Sequence, residues 1–197
     1  MNINKKQKLI LASCSPRRRE LIKLLGMDFE CISVDADEST NEIIPSKAVQ
    51  EISAKKARAA LSARKIAHDE VIIGADTIVV FDEKLLGKPL DDDDAERMLL
   101  MLSGQTHFVY TGVTLIYRDY NDNLTEISFA EKTEVTFAEI SLEEIRKYIS
   151  CGNHRDKAGS YAIQDEFGVH ITGIKGDYNN VVGFPVARIY SELKKLL

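Results

Sequence analysis

The sequence is poor in the residues that build metal clusters and disulfide frameworks. It contains three cysteines with no CxxC pair, and four histidines without the spacing of metal ligands. An odd number of isolated cysteines argues against a disulfide framework and a zinc knuckle, and it fits reduced thiols in a cytosolic protein. The scattered histidines argue against a histidine metal site and against a Ser-His-Asp triad.

The sequence also lacks a basic excess and a long hydrophobic run. Its net charge is −5, whereas general nucleic-acid binders usually carry a basic excess that is concentrated on one face. The basic start at residues 1–6 is not followed by the apolar core of a signal peptide, and no run approaches the length of a membrane span. We therefore expect no nucleic-acid partner and no membrane segment, and any positive charge that binds phosphate must be local.

The apolar content, in contrast, is sufficient for a well-filled core. With 197 residues, of which 44% are hydrophobic, the chain can form one α/β domain or two small lobes that share a cleft. No internal repeat, low-complexity tract or linker divides it. Residues 1–197 are therefore expected to form a single domain.

Periodicity and capping signals predict an alternation of strands and helices. The predicted strands after a first buried strand at residues 9–12 are Phe29–Val34, Val71–Phe81, the hairpin Phe108–Tyr117 and Leu124–Ala138, and Val169–Ile171. The predicted helices are residues 16–25, Pro45 to about Ile66, the aspartates at 91–94 to Ser103, Ser141 to about Ser150, and Pro185 onward. Asp156–Gln164 is predicted as a loop and a short strand, and Gly173–Gly183 as a turn-rich loop.

The stretch Ser13–Glu20 lies between the first strand and the first helix. Ser15 is suited to cap this helix, and the arginines at 17–19 then lie where the helix dipole disfavours cations. A bound anion would remove the conflict, because backbone N–H groups, the two serine hydroxyls and guanidinium groups could converge on phosphate oxygens. The alternative is an exposed basic patch. Under either interpretation Arg19 is expected to face water.

Asp76 interrupts the apolar strand Val71–Phe81. Aspartate is depleted in strands, and a carboxylate among apolar neighbours needs a cation, a metal or several hydrogen-bond donors. One interpretation is a bulge or sheet edge at which Asp76 caps a neighbouring loop. The interpretation that we favour is a functional carboxylate.

The chain offers the groups that hydrolysis of a phosphoanhydride needs. Phosphate oxygens need fixed positive charge, the leaving group needs a divalent ion or cations, and the attacking water needs a carboxylate. The candidate phosphate ligands are Arg17, Arg18, Lys56 and Lys88, although each lysine could also be a solvated surface side chain. The candidate acids are Asp76 and Glu38, a pair that suits Mg²⁺. These groups indicate a phosphate-handling α/β enzyme. The residues alone give no more specific assignment, because no Walker A or GxGxxG motif occurs.

Several ordered motifs, from about Lys8 to the terminal helix, together resemble the Maf family. They are Ser13-x-Ser15-Pro16-Arg17-Arg18-x-Glu20-Leu21, Gly74-Ala75-Asp76-Thr77, Gly87-Lys88-Pro89, Leu102-Ser103-Gly104-Gln105-Thr106-His107, Asp156-Lys157-Ala158-Gly159-x-Tyr161-x-Ile163-Gln164 and Val182-Gly183-x-Pro185. The resemblance implies an α/β fold like that of inosine triphosphatase, with a mixed twisted sheet flanked by helices and two lobes around a central cleft. It also implies a nucleoside triphosphate pyrophosphatase that yields a nucleoside monophosphate and pyrophosphate, uses Mg²⁺ or Mn²⁺, and forms a homodimer.

The resemblance also implies roles for individual residues. Asp76 matches the family's proton acceptor and Glu38 an acid at the metal and water end of the cleft, so both are candidate metal ligands. The positions that match substrate-holding residues are Ser13, Arg17, Arg18, Lys56 and Lys88, and Ser15 is placed with them as the second hydroxyl of the loop. Whether Lys55 or Lys56 faces the phosphates is left open. Cys14 departs from the glycine or threonine that is common between the two serines.

Three positions resemble the subgroup that acts on dTTP and UTP, namely Arg18, Thr77 and Gln164. The subgroup that resembles a 7-methyl-GTP pyrophosphatase has a bulky aromatic residue at the position of Arg17, glutamine at that of Thr77 and glutamate at that of Gln164. An amide such as that of Gln164 offers both a donor and an acceptor to a pyrimidine edge.

The leading hypothesis is therefore a cytoplasmic dTTP/UTP pyrophosphatase, with modified pyrimidine nucleotides as further candidate substrates. In this hypothesis Asp76 activates water for attack at the α-phosphorus. Because family members are associated with inhibition of septum formation, one alternative is a regulator of cell division that senses nucleotides without hydrolysing them. Another is a phosphatase that acts on the γ-phosphate or on monophosphates.

Overall fold

The computed structural model describes residues 7–196. The strands are β1 (Lys8–Ala12), β2 (Phe29–Ile32), β3 (Glu70–Phe81), β4 (Lys84–Leu86), β5 (Thr106–Arg118), β6 (Leu124–Phe137) and β7 (Ile171–Lys175). The helices are α1 (Pro16–Ile22), α2 (Pro45–Ala63), α3 (Asp92–Leu102), α4 (Leu142–Ser150), α5 (Tyr178–Val182) and α6 (Val186–Leu196). Short 3₁₀ helices cover Lys23–Leu25, Ala158–Ser160 and Glu166–His170.

The described strands form a seven-stranded mixed sheet in the order β2-β1-β3-β5-β6-β7, with β4 paired to β3. Strand β1 is parallel to both neighbours, and Leu11 pairs with Cys31 of β2 and with Ile73 of β3. Strands β4 and β7 are antiparallel to β3 and β6. Parallel neighbours must be joined by crossover connections, and here α1 and α2 lie in those connections. The predicted mixed sheet with flanking helices is confirmed.

The chain divides into two compact units. The first contains the described parts of Met1–Asp76, Thr111–Glu131 and Gly183–Leu197, and the second contains Thr77–Tyr110 and Lys132–Val182. Strands β3, β5 and β6 each contribute residues to both units.

The core of the first unit is formed by aliphatic side chains of the sheet and small residues of α2. Ile10, Ile72 and Ile116 are buried against Ala57 and Ala60. Alanines let the helix backbone approach the sheet closely, and two strand glycines allow a still closer approach. A Cβ built at Gly74 would lie 2.2 Å from the Ser53 carbonyl oxygen, and one at Gly112 would lie 2.2 Å from that of Val49. Helix α2 is therefore held against β3 and β5 at backbone contact distance.

Helix α2 ends earlier than the sequence predicts. The predicted end is near Ile66, but the last helical residue is Ala63 and Arg64 has an extended backbone at φ −155° and ψ 153°. This conformation directs the Arg64 side chain to Glu30 and Glu70, whose carboxylates it binds at 3.3 and 2.5 Å. Ile66 is nevertheless buried, because it packs in the same core after the helix has ended.

The second unit has an aliphatic and aromatic core between α3, α4 and its strand segments. Leu99, Leu102, Phe137 and Phe167 are among its most buried members. Both helices begin where the sequence predicts, because Asp91 caps α3 through Asp94 N–H and Ser141 forms a capping box with Glu144 at α4. The interpretation of the aspartates at 91–94 as a helix start is confirmed.

Two predictions for the second unit are wrong. Asp156–Gln164 contains no strand, because Gly159 and Ser160 adopt left-handed backbone conformations with φ 67° and 66° and turn the chain. Gly173–Gly183 is not a turn-rich loop, since it contains the end of β7 and all of α5. The glycine at 173 is accommodated in β7 opposite Thr136 of β6.

The three-residue strand β4 is missing from the predicted elements, and further differences concern element ends. Val169 and His170 belong to a 3₁₀ helix, so the predicted strand Val169–Ile171 begins only at its last residue. Strand β2 stops at Ile32, two residues before its predicted end. None of the helices within residues 7–196 is long and apolar enough to span a membrane.

Candidate active site

The loop between β1 and α1 is organised by its two serines. Ser15 caps α1 by accepting a hydrogen bond from the Arg18 N–H, as the sequence predicts, and its own N–H donates to Ser13 Oγ at 3.2 Å. The Arg18 side chain donates from Nη1 to Ser13 Oγ at 3.4 Å and from Nε to the Gly183 carbonyl at 2.9 Å. The predicted members Ser13, Ser15 and Arg18 are therefore brought together. Arg19 is exposed, which confirms its predicted orientation.

A second group of predicted residues meets at the centre of the first unit. Lys56 Nζ lies 2.7 Å from Asp76 Oδ1 and 2.9 Å from Glu38 Oε1. Lys56 and Asp76 are 8% and 9% exposed, whereas the Glu38 side chain is 49% exposed. One ammonium group thus bridges a buried and a solvent-accessible carboxylate, and it supplies the cation that a carboxylate in a buried strand requires.

The fold determines this arrangement through the close contact of α2 and β3. Gly74 lies on β3 two residues before Asp76, and its missing side chain allows α2 to approach at Ser53 and Ala57. Lys56 follows Ser53 by almost one helical turn, so it is carried to the same strand. The alternative of a sheet edge at Asp76 is wrong, because β3 lies between β1 and β5. Asp76 Oδ1 accepts a hydrogen bond from Lys56 Nζ.

The structure distinguishes the two adjacent lysines. Lys56 faces Asp76, whereas Lys55 Nζ donates to the Ser39 carbonyl at 2.6 Å and lies 3.0 Å from Glu51 Oε1. Thr40 Oγ1 donates to the other oxygen of Glu51 at 2.6 Å. Lys55 therefore ties the acidic loop that carries Glu38 to α2. This role of Lys55 was not predicted, although the sequence shows three acidic residues at positions 35–38.

Electrostatics link the two groups of the first unit. Desolvation lowers the pKa of the Arg18 guanidinium and Arg17 lowers it further, while the carboxylates of Asp76 and Glu38 act in the opposite direction. Arginine nevertheless keeps its charge, because the guanidinium group stays protonated in proteins. The site thus contains an ionised guanidinium near two acidic side chains.

Of the other predicted residues, Arg17 is half-buried on α1 in the first unit, and three lie in the second unit. Thr77 follows Asp76 on β3 and is half-buried, while Lys88 and Gln164 are exposed on loops. The loop that begins with Gly87 is joined to the segment before Gln164, because Gly159 N–H donates to the Gly87 carbonyl at 3.0 Å. A Cβ at Gly159 would lie 2.8 Å from Val79, so a side chain at position 159 would disrupt the hydrogen bond to Gly87.

Glu38 and Asp76 are the residues of the candidate site that could hold a divalent cation. Each carboxylate contacts the Lys56 ammonium through one of its two oxygens. Mg²⁺ typically takes one or two protein carboxylates and completes its shell with water and substrate phosphates. Residues 7–196 contain no cluster of three or more histidine, cysteine or acidic ligands, so an all-protein metal cage is not formed there. The donor set fits Mg²⁺ or Mn²⁺ accompanied by a phosphorylated ligand.

A family model and individual known proteins both match almost the whole chain. A family model described as "Maf-like protein" matches residues 8–196. A dTTP/UTP pyrophosphatase of Agathobacter rectalis is 48% identical over 95% of this chain and 97% of its own length. A Bacillus cereus dTTP/UTP pyrophosphatase is 42% identical over 96% of this chain and 95% of its own.

Solved structures with low sequence identity share the fold. The Staphylococcus aureus Ham1 protein has a TM-score of 0.56 at 14% identity, over 96% of this chain and 99% of that chain. A HAM1 protein from Coxiella burnetii has a TM-score of 0.53 at 14% identity, with the same coverage of 96% and 99%. The predicted α/β architecture is confirmed by these similarities.

Proposed function

The chain belongs to the Maf family, and from this premise we propose that it is a nucleoside triphosphate pyrophosphatase that hydrolyses dTTP and UTP. The products are a nucleoside monophosphate and pyrophosphate. Relatives named dTTP/UTP pyrophosphatase, at 42–48% identity over almost the whole chain, support the substrate class. The observation that carries the chemistry is the buried Asp76 carboxylate held by Lys56.

Asp76 is the proposed general base. Its carboxylate accepts a proton from a water molecule whose oxygen attacks the α-phosphorus, and the bond between that phosphorus and the α–β bridging oxygen breaks as pyrophosphate leaves. The Lys56 ammonium lies 2.7 Å from Asp76 Oδ1 and supplies the cation that a buried carboxylate requires. Glu38 contacts the same lysine as Asp76, and it is proposed to help orient the attacking water.

The proposed phosphate ligands are Arg17, Arg18, Lys88 and the hydroxyls of Ser13 and Ser15. The hydrogen bonds of Arg18 to Ser13 and Gly183 support its part in this proposal, because they restrain a long side chain before the substrate arrives. The roles of Lys88 in phosphate binding and of Arg18, Thr77 and Gln164 in base selection rest on the family resemblance.

Glu38 and Asp76 would hold the divalent cation, proposed as Mg²⁺ or Mn²⁺. When bound, the cation supplies positive charge to the phosphate oxygens and makes a coordinated water more acidic. The homodimer, the cytoplasmic location and the single domain over residues 1–197 stay predictions.

The proposal is tested with a panel of nucleoside triphosphates and separate detection of pyrophosphate and orthophosphate. The panel contains dTTP, UTP, CTP, ATP, GTP, ITP and 7-methyl-GTP, each with and without Mg²⁺ or Mn²⁺. We expect pyrophosphate from dTTP and UTP, dependent on the cation. Orthophosphate alone would indicate a phosphatase, turnover mainly of 7-methyl-GTP would overturn the subgroup assignment, and binding without turnover would favour a nucleotide-sensing regulator.

A further inference from the structure

The segment Tyr161–Asp165 carries one exposed side chain between buried anchors. Gln164 is exposed, whereas Tyr161 and Ala162 are 5% and 8% exposed. This segment has no regular secondary structure, so its conformation depends on side-chain hydrogen bonds. We propose that Tyr148 is a positioning residue for base selection, because its hydroxyl holds the side chain of Asp165, the residue that follows Gln164. The inference rests on the proposed function of Gln164.

The Tyr148 hydroxyl bonds to the end of the segment. It donates to Asp165 Oδ2 at 3.0 Å. Burial, followed by the charge of Asp165, raises the pKa of the Tyr148 hydroxyl, which therefore stays protonated and can act as the donor. Gln164 is thus followed directly by a residue whose side chain is bound to Tyr148.

Asp165 is itself held from its other side. Its Oδ1 accepts a hydrogen bond from the Phe167 N–H at 2.9 Å, which caps the 3₁₀ helix Glu166–His170. The Tyr148 ring packs on the Phe167 ring with a centroid distance of 4.7 Å. Each carboxylate oxygen of Asp165 therefore has one donor, and the residue after Gln164 is fixed in two directions.

The residue at the start of the segment has its own anchor. The Tyr161 hydroxyl lies 2.8 Å from His107 Nε2, and both side chains are buried. The Tyr161 ring makes an edge contact with Phe137 at a centroid distance of 4.8 Å. The contacts of Tyr161 restrain the chain three residues before Gln164. The one with His107 also brings together two motifs that are far apart in the sequence, one ending in His107 and the other in Gln164.

These anchors predict a specific consequence for Gln164. A side chain that selects a base by hydrogen bonds needs a backbone that is already in place, since disorder must otherwise be removed when the ligand binds. Loss of the Tyr148 hydroxyl frees the Asp165 side chain but keeps the ring that packs on Phe167. Binding of the preferred base is then weakened, while groups that act on phosphate are unaffected.

The test compares Tyr148→Phe with the parent protein on dTTP, UTP and GTP. We expect kcat/KM for dTTP and UTP to fall by about 3- to 10-fold, the range that one hydrogen bond supplies, mainly through KM. Turnover of GTP should be unchanged, so the selectivity ratio falls. In a Gln164→Ala background the same substitution should leave the ratio unchanged, because a residue that acts through Gln164 has nothing left to position.

Two further variants separate positioning from general loss of structure. Tyr120→Phe removes a hydroxyl from a tyrosine that is 91% exposed, and it should change neither selectivity nor stability. Asp165→Ser keeps a side-chain cap for Phe167 but is too short to reach Tyr148, so it should reproduce the loss of selectivity. Thermal unfolding of every variant shows whether the fold is retained.

An equal loss of kcat/KM for all nucleotides, or the same effect of Tyr148→Phe with and without Gln164, would overturn the inference. A Tyr148→Phe variant that does not fold would transfer the test to Asp165→Ser, where an unchanged selectivity ratio would overturn it. A parent protein that does not prefer dTTP and UTP would instead refute the proposed function, so the two failures are distinguishable.

Discussion

Lys56 of α2 and Asp76 of β3 form an almost fully buried ion pair, with 2.7 Å between Nζ and Oδ1. Glu38 joins it from the solvent side at 2.9 Å. A buried carboxylate is costly unless a cation accompanies it, so this contact compensates for the burial of the carboxylate proposed as the general base.

Replacement of Lys56 by methionine should therefore reduce both stability and activity. Removal of one partner leaves a buried charge without compensation, so we expect the free energy of unfolding at pH 7 to fall by about 3 kcal/mol. Urea unfolding measures this change. Lys55→Met is the matched control, because Lys55 is more exposed and exposed ion pairs typically contribute less than about 1 kcal/mol. Equal losses for the two variants would contradict the structural distinction between them.

Asp76→Asn should remove turnover but leave binding of nucleotide. The amide oxygen can still accept a hydrogen bond from Lys56, so the local geometry is kept while the proton acceptor is lost. We expect pyrophosphate release from dTTP to fall by at least about 100-fold, the lower range for a general base. Isothermal titration with dTTP should still detect binding by the variant. An Asp76→Asn protein with normal turnover would exclude Asp76 as the base.

Gly74→Ala should destabilise the first unit. The new Cβ would lie 2.2 Å from the Ser53 carbonyl oxygen and 2.8 Å from the Ala57 nitrogen, both of which are backbone atoms of α2. Helix and strand must then separate, and we expect the free energy of unfolding to fall by about 2–4 kcal/mol.

The control for this substitution is Gly87→Ala, where a Cβ would meet no atom within 4 Å. It should change the free energy of unfolding by less than about 0.5 kcal/mol. If both glycine variants unfold at the same denaturant concentration, the close approach of α2 to β3 is not required for stability.

His107 should make stability depend on pH. Burial lowers the pKa of His107 from 6.5 to about 4, and Nδ1 has no hydrogen-bond partner among the described residues, so a proton there would be unfavourable. Between these values the unfolded chain binds a proton that the folded chain does not. The free energy of unfolding should therefore fall as the pH decreases from about 6.5 to about 4, by up to about 3 kcal/mol.

His107→Gln isolates this contribution. Glutamine can still bond to the Tyr161 hydroxyl but does not titrate, whereas the carboxylates titrate equally in both proteins. The difference in unfolding free energy between the variant and the parent, measured by denaturation at several pH values, should change in favour of the variant below pH 6.5. A difference that does not depend on pH would show that His107 is accessible to protons in the folded state.

Local sequence signals determined the element types where one short-range interaction dominates. Ser15, Asp91 and Ser141 cap their helices as predicted, because a cap needs only a side chain and a backbone N–H a few residues away. The continuous apolar run of β3 predicted a buried strand, and its single aspartate was recognised as a group in need of a partner. The same reasoning failed for Gly173–Gly183, where pairing with β6 overrides the turn preference of glycine.

The sequence by itself thus determined the alternation of helices and strands, the family, and a set of candidate residues. This set includes Asp76, Glu38 and Lys56, with Lys55 as the alternative to Lys56. Only the tertiary structure decided which lysine serves the candidate site, because Lys55 and Lys56 are adjacent and differ by the rotation of one residue around α2. Gly74 sets that rotation against β3 by contact with backbone atoms of α2. Contacts of this kind join residues about 20 positions apart, and they depend on the packing of whole elements rather than on local preference.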